Sequence, residues 1–413
     1  MSSALATGPQ ADELLHRLLA TAEGHADPYP FYRALRTAAP IHRCGLDGVW
    51  YTTGFAAARR VLLDPCFGKG PRLTIRRHGI PEERVRMAER RPVRPTMITA
   101  NPPEHSRLRG AAKGAFLPAR IEALRGRIAA LVDERLDRLA AAGTADVMTE
   151  LAYTLPLTVI GELLGVPEED REGFRAVVMA TLGADDPNPA PEAVGRAEAA
   201  SNEIADYVSG LVAARRARPG GDVLSLLVEH HDDGGLDTTE LVGTVILLLE
   251  AGFLTTTNLI GNGLLALLRH PGEMARLWAD PTLVDSAVEE MLRYDTPIQL
   301  TMRHVLADVD IDGAQFRAGE NVVVLLGAAN RDPACFPEPD RFDVGRPDNG
   351  HLSFAWGTHF CLGARLARLE AQLVFAGLRQ RFTALDLADE PARRPGLLLR
   401  GLESLPVTVR TSA

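Results

Sequence analysis

The stretch Phe354-Ala-Trp-Gly357-Thr-His359-Phe-Cys361-Leu-Gly363 is where this chain gathers residue types that do chemistry. It ends where a strong helical pattern, about 362–381, begins. A cysteine at a helix N-terminus faces unpaired backbone N–H groups and the positive end of the helix dipole. Both favour thiolate over thiol and lower the pKa. Gly357 and Gly363 permit sharp turns and a close approach of backbone to sulfur, and Phe354 can shield one side from water. The spacing describes a site built to present one thiolate, dry and hydrogen-bonded. A second set is basic: His105 and Arg109, in Asn101-Pro-Pro-Glu-His105-Ser-Arg-Leu-Arg109, stand i,i+4 on one helical face. Taken alone, that pair reads equally as an exposed basic stripe. Glu290 and Arg293, spaced i,i+3, read alone as an ordinary helical ion pair.

Two other patterns carry less. Gly261-x-Gly263-x-x-Ala266 matches a dinucleotide-binding fingerprint, but no strand precedes it, so it reads as close helix packing. Glu229-His230-His231-Asp232-Asp233 ends a helical pattern just before Gly234-Gly235 and reads as a solvated turn rather than a metal cluster. No H-E-x-x-H, Walker loop or G-x-S-x-G is present.

A thiolate site needs a frame. The 413 residues are 46% hydrophobic and 24% charged, which excludes a disordered or collagen-like chain and predicts a sizeable core. A formal net charge of −9 argues against a general nucleic-acid binder, which would usually be basic overall. Lys69 and Lys113 are the only lysines among 45 basic residues. The four cysteines, Cys44, Cys66, Cys335 and Cys361, form no C-x-x-C pair, which predicts a reducing compartment and excludes covalently attached c-type haem. Residues Met1 to Pro30 lack the apolar core of a signal peptide, so a cytoplasmic protein is expected.

Trp50 to Thr53 reads as a strand, and residues 68–98, rich in Gly, Pro and Arg, as a lid or irregular loop. From about 104 to 268 the pattern is mostly helical, with breaks at Pro118, Gly143, Gly165-Val-Pro167, Asp185–Pro191 and Pro219-Gly-Gly221. The most apolar run, Leu241 to Leu268, has a capping box in Asp237 and Glu240 and Pro271 just past its end. It is long enough to span a membrane, but Glu250, Asn258, Asn262 and Thr255-Thr256-Thr257 predict a buried central helix instead. A helix near 281–294 and short strands at Ala307–Ile311, Asn321–Leu326 and Leu405–Val409 follow. The expectation is one domain over residues 1–413, mainly α with a minor β portion.

The spacing F-x-x-G-x-H-x-C-x-G resembles the haem-thiolate loop of the cytochrome P-450 superfamily, with Ala355 where the family usually has Gly. Glu290-x-x-Arg293, Phe336-Pro-Glu-Pro-Asp-Arg341-Phe, Leu163-Leu-Gly165-Val-Pro167 and Ala329-Asn-Arg331-Asp-Pro333 also resemble bacterial members, in the right order along almost the whole chain. The resemblance implies the triangular, helix-rich cytochrome P-450 fold, with a long central helix over haem b. It implies Cys361 as the iron ligand and a buried network of Glu290, Arg293 and Arg341. It places His105 and Arg109 on one propionate, and Arg303 and His359 on the other. Ala251-Gly252-Phe253-Leu254-Thr255 stands where the family has A-G-x-[DE]-T, whose acid relays protons and whose alcohol hydrogen-bonds dioxygen. Here the acid position is Leu254. Proton delivery is then expected through water, Thr255, Thr256 or the substrate, with Glu250 as a partial substitute. Gly252 is expected to permit a local opening of the helix.

The resemblance implies dioxygen activation with electrons ultimately from NAD(P)H. The chain has no reductase domain, flavin motif or iron–sulfur cysteine set, so ferredoxin and ferredoxin reductase are the expected partners. Arg107, Lys113, Arg365 and Arg368 would form the positive patch for ferredoxin. Three outcomes stay open. One is monooxygenation, by hydroxylation or epoxidation, of a small, largely apolar substrate such as a secondary-metabolite intermediate. The second is oxidative C–C or C–N bond formation or desaturation. The third is a non-catalytic haem protein. The pocket is expected to use Met87, Met97, Ile98, Met179, Leu248, Phe253, Ile298, Leu300 and Leu402, with Gln299 orienting polar atoms. A monomer that binds neither nucleic acid nor membrane is expected.

Overall fold

The apolar run in the middle of the chain forms one continuous helix, Thr238–Arg269. The structure, a computed structural model, describes residues 9–70, 96–182 and 191–411; Met87 lies outside them. Five helices position the site: α1 (Glu104–Lys113), α2 (Thr154–Leu164), α3 (Thr238–Arg269), α4 (Val284–Tyr294) and α5 (Ala364–Arg381). The capping box at α3 forms as its sequence predicts. Asp237 accepts from the Glu240 N–H at 2.7 Å, and Glu240 accepts from the Asp237 N–H at 2.9 Å. The Glu240 carboxylate also takes Arg107 of α1 at 2.8 Å, fastening α1 to the start of α3.

By length and composition α3 could cross a membrane, but most of its apolar window is buried against protein. Its glycines are explained by their neighbours. A Cβ on Gly252 would meet Ile160 of α2 at 2.8 Å, so Gly252 lets α2 and α3 pack closely; α3 does not open there. The Gly261-x-Gly263 pair likewise makes room for Met148 and Met291.

The β portion is small. A five-stranded sheet runs β1 (Ile41–Arg43), β2 (Trp50–Thr52), β3 (Phe67–Gly68), β4 (Thr301–Val305) and β5 (Asn321–Val324), in spatial order β1-β2-β5-β4-β3. β2 and β5 are parallel and the other pairs antiparallel. The strand expected at Ala307–Ile311 is Val309–Ile311, paired with Ala314–Phe316; that expected at Leu405–Val409 is Pro406–Thr411. β4 was not foreseen, because Thr301–Val305 mixes Arg303 and His304 among its apolar residues.

On α4, Glu290 and Arg293 are fully buried and joined at 2.7 and 2.8 Å. The third member is Arg346, not Arg341. The Arg346 Nε meets both Glu290 oxygens at 3.1 Å, and Asn349 donates to Glu290 at 3.0 Å. Arg341 turns its side chain outward to Glu338 and Asp343, 53% exposed, and contributes only its carbonyl, which accepts from Arg293 and Arg346. Removing Arg346 leaves Glu290 paired with Arg293 but takes the donor from the Pro337 and Glu338 carbonyls, a loss of about 1–3 kcal/mol. Arg346→Met is expected to lower unfolding free energy by about that amount, and Arg341→Met by roughly 0.5 kcal/mol or less. Urea unfolding of the two variants tests this, and equal losses would contradict it.

Candidate active site

The cysteine loop is a crossing of tight backbone constraints. Cys361 donates its N–H to the Phe354 carbonyl at 3.0 Å, closing the loop on itself. Gly357 has φ +72°, and a Cβ there would meet the Leu62 carbonyl at 2.6 Å. Ala355 also sits in the left-handed region, at φ 55°. Its methyl makes this conformation dearer than it would be for glycine. Gly363 is different from the sequence expectation: its φ is −85° and open space surrounds it, so no conformational demand for glycine exists there.

A buttress stands behind the loop. Arg368 of α5 makes two bonds to Glu289 of α4, at 2.7 and 2.8 Å, and lies over the Phe354 ring at 4.5 Å. His351 joins the same carboxylate at 3.2 Å. These partners hold Glu289 down at about 2 against its burial. Arg368, like Arg107, is therefore committed to an ion pair and is not a free charge for a partner protein. Lys113 and Arg365 are exposed.

Cys361 opens onto an interior cavity of about 270 Å³. Burial pushes its thiol above the ordinary range, while the N–H groups of Gly363 and Ala364 and the charges of Arg109 and Arg368 act the other way. The helix N-terminus alone does not lower this pKa as the sequence predicts. A metal at the sulfur is what deprotonates such a thiol outright.

The cavity walls are largely apolar. Met97, Ile98, Leu248, Ile298 and Phe354 line it as expected, with Leu247, Ile160 and Leu326. α3 contributes Ala251, Gly252, Thr255 and Thr256. The Thr255 hydroxyl donates to the Ala251 carbonyl at 2.8 Å. Among the described residues, several expected members are elsewhere. Phe253 and Leu254 face the core, 0% and 4% exposed, and Phe253 lies beside Tyr153. Met179 packs against the same core. Gln299 is fully buried beneath the wall, bonded to Tyr32 and to the Thr296 carbonyl. Leu300 and Leu402 are core residues. An all-round apolar helix and a closely wound loop give sequence no signal of which side faces a cavity.

At the cavity edge five basic groups converge: Lys69, His105, Arg109, Arg303 and His359. His105 is 2% exposed, neither of its ring nitrogens has a partner, and its ring meets that of His359 edge-on at 4.5 Å. Burial, then the neighbouring cations, pushes His359 down to about 3; burial alone takes Arg303 to about 10. Among the described residues no carboxylate pairs with any of the five. Lys69 was not singled out from the sequence, and neither was Glu370 of α5. Glu370 lines the cavity 1% exposed with Oε2 unpartnered, and burial pushes its pKa well above the carboxylate range.

Residues 192–400 match the family model for cytochrome P450. The chain belongs to the cytochrome P450 family. It is 43% identical to the cytochrome P450 monooxygenase PikC of Streptomyces venezuelae, over 93% of this chain and 92% of that one. Two solved structures share the fold. P450BioI in complex with a hexadec-9Z-enoic acid ligated acyl carrier protein aligns at TM-score 0.86 and 37% identity, over 94% of this chain and 100% of that one. CxnD, described as forming a C–S bond in chuangxinmycin biosynthesis, aligns at 0.85 and 34%, over 94% and 95%. This P450 is an oxidoreductase, and the non-catalytic alternative is set aside.

The family implies haem with a cysteine thiolate, and the residues here fit it. The cavity offers one thiol, apolar walls, and a basic cluster that no carboxylate among the described residues answers and two propionates would satisfy. Glu289 has a lowered pKa, so its stabilising effect is complete above its ordinary value and is lost as pH falls through the folded one. The stability gap between wild type and Glu289→Gln is expected to close as pH drops from 4.5 to about 2. Urea unfolding at stepped pH measures it, and a constant gap would contradict the pairing.

Proposed function

We propose that this P450 inserts one oxygen atom into a small, largely apolar secondary-metabolite intermediate, by hydroxylation or epoxidation. The observation that carries the reading is one cavity shared by Cys361, Thr255, Thr256 and Glu370 within apolar walls. Haem bound at Cys361 supplies the oxidation, and thiolate ligation favours O–O cleavage. The chain supplies position, dryness and protons. Cys361 is the ligand; His105 and Arg109 take one propionate, Arg303 and His359 the other.

Leu254, at the acid position, is turned into the core and hands on no proton, and Glu250, one turn before it, is not among the described lining residues. Thr255 holds its proton on the Ala251 carbonyl and can turn it into the cavity. Thr256, 2% exposed, lies beside it. Glu370 is the one carboxyl among the described lining residues; burial raises its pKa and so favours the protonated form, the form that can donate a proton. Ile98, Leu248 and Ile298 exclude water and hold an apolar substrate.

Electrons come ultimately from NAD(P)H through a ferredoxin reductase and a ferredoxin that meets exposed Lys113 and Arg365. The protein works as a single-domain monomer in the cytoplasm. One specific observation favours a second reading. Leucine at the acid position, together with the likeness to CxnD, suits oxidative bond formation in which the substrate brings its own N–H or O–H.

Turnover of a host metabolite extract with surrogate ferredoxin and reductase under labelled dioxygen, read by accurate mass, separates the two. A product carrying one labelled oxygen is expected. A product short of two hydrogens and free of label would replace monooxygenation by coupling or desaturation. With the substrate in hand, Glu370→Gln is expected to slow turnover on the order of a hundredfold while substrate affinity holds. Leu254→Glu is expected to lower stability without raising turnover, because the new carboxylate is buried in the core.

A further inference from the structure

The basic cluster at the cavity edge has one member that no motif accounts for. β3 pairs with β4 through Phe67↔Val305 and Gly68↔His304, and the ladder stops there. The next residue, Lys69, runs on beside Arg303 and lines the cavity. Its backbone is held not by a strand but by one side chain. Asn101 accepts from the Lys69 N–H at 2.7 Å and donates to the Lys69 carbonyl at 2.7 Å. The amide thus imitates a neighbouring strand. Gly68 allows it, since a Cβ there would collide with Asn101.

Asn101 is also tied to the other side of the cluster. Its own carbonyl accepts from the His105 N–H at 2.8 Å, so the residue that fixes Lys69 also begins the turn that carries His105 and Arg109. The Lys69 ammonium reaches only the Met302 carbonyl, at 3.4 Å, among the described residues. Arg303 bonds the same carbonyl at 2.9 Å. Two cations, half-buried Lys69 and buried Arg303, are therefore held side by side on neutral acceptors only among the described residues, the shared Met302 carbonyl and, for Arg303, the Thr301 hydroxyl at 3.1 Å. Burial and the Arg303 charge push Lys69 down to about 7. An arrangement of this kind is unfavourable until an anion joins it.

We propose that Lys69 is a further carboxylate-binding residue of this P450, positioned by Asn101 to hold a haem propionate beside Arg303. The inference rests on haem occupying the cavity. It adds a fourth chain segment to the three that carry the residues named by the family motifs, and it gives Asn101 a positioning role that sequence order alone does not suggest.

The test is haem retention by the purified holoenzyme, followed as transfer to excess apomyoglobin. A charge-assisted bond of this kind corresponds to about a tenfold faster loss in Lys69→Met. The reduced carbonyl complex keeps its thiolate band, since Cys361 is untouched. Lys69→Arg is expected to restore most of the retention. Asn101→Ala, which frees the Lys69 backbone, is expected to fall between Lys69→Met and wild type. Wild-type retention in Lys69→Met would overturn the proposal, and so would equal loss in Lys69→Met and Lys69→Arg, which would mark a packing position only. An added long-chain fatty acid that competes with Lys69 for wild-type substrate shifts, while retention stays unchanged in Lys69→Met, would move the residue to a substrate carboxylate and overturn it as well. A wild-type protein with no thiolate band would fail the haem reading itself, which is a different result from any of these.

Discussion

A thiolate buried away from water is tenable only where donors, cations or a metal answer its charge. Around Cys361 burial raises the thiol, and the opposing groups are two backbone N–H donors and two arginines. Much of the surrounding structure serves to keep those groups where they are. The Phe354 carbonyl closes the loop on the Cys361 N–H, and Gly357 lets it pass the Leu62 carbonyl. Glu289 fixes Arg368 over Phe354, so the same arginine both favours the thiolate by its charge and braces the Phe354 ring. The next residue of α4, Glu290, gathers Arg293, Arg346 and Asn349 into a buried, multiply bonded cluster. Hydrogen bonds stiffen a buried cluster, and this one sits directly behind the cysteine loop's support.

The second constraint is charge of the other sign. Five basic groups meet at the cavity edge, and among the described residues no carboxylate balances them. With His105 unpartnered among the described residues, that cluster fits an acidic cofactor. Cofactor binding would thereby add a shared partner to α1, the end of the β3–β4 ladder and the cysteine loop, already linked by the His105–His359 ring contact and by Asn101.

The parts legible in the sequence are those whose signal is local. The capping box at Asp237 and Glu240, the breaks at Gly143 and Gly165, and the cysteine loop all depend on a few neighbouring residues, and all appear where the sequence places them. Choices made by tertiary packing were not legible. Arg341 and Arg346 stand five residues apart in one loop, and only the fold decides which side chain turns inward. Phe253 and Leu402 are as apolar as true cavity residues, so composition alone assigns them to the wall. Gln299 is polar and close in sequence to the wall, yet it is used to brace the loop from behind. One overlooked signal was compositional: in a chain with arginine at 43 of 45 basic positions, a lysine is itself unusual, and Lys69 faces the cavity.

The central claim is that Cys361 ligates haem iron as a thiolate inside this cavity. Its most direct test is the absorption spectrum of the reduced carbonyl complex, recorded for wild type and for Cys361→Ser. The account predicts the strongly red-shifted band of a thiolate opposite carbon monoxide in wild type, and its loss in Cys361→Ser. The same band surviving in Cys361→Ser, or absent from wild type carrying a full complement of haem, would contradict it.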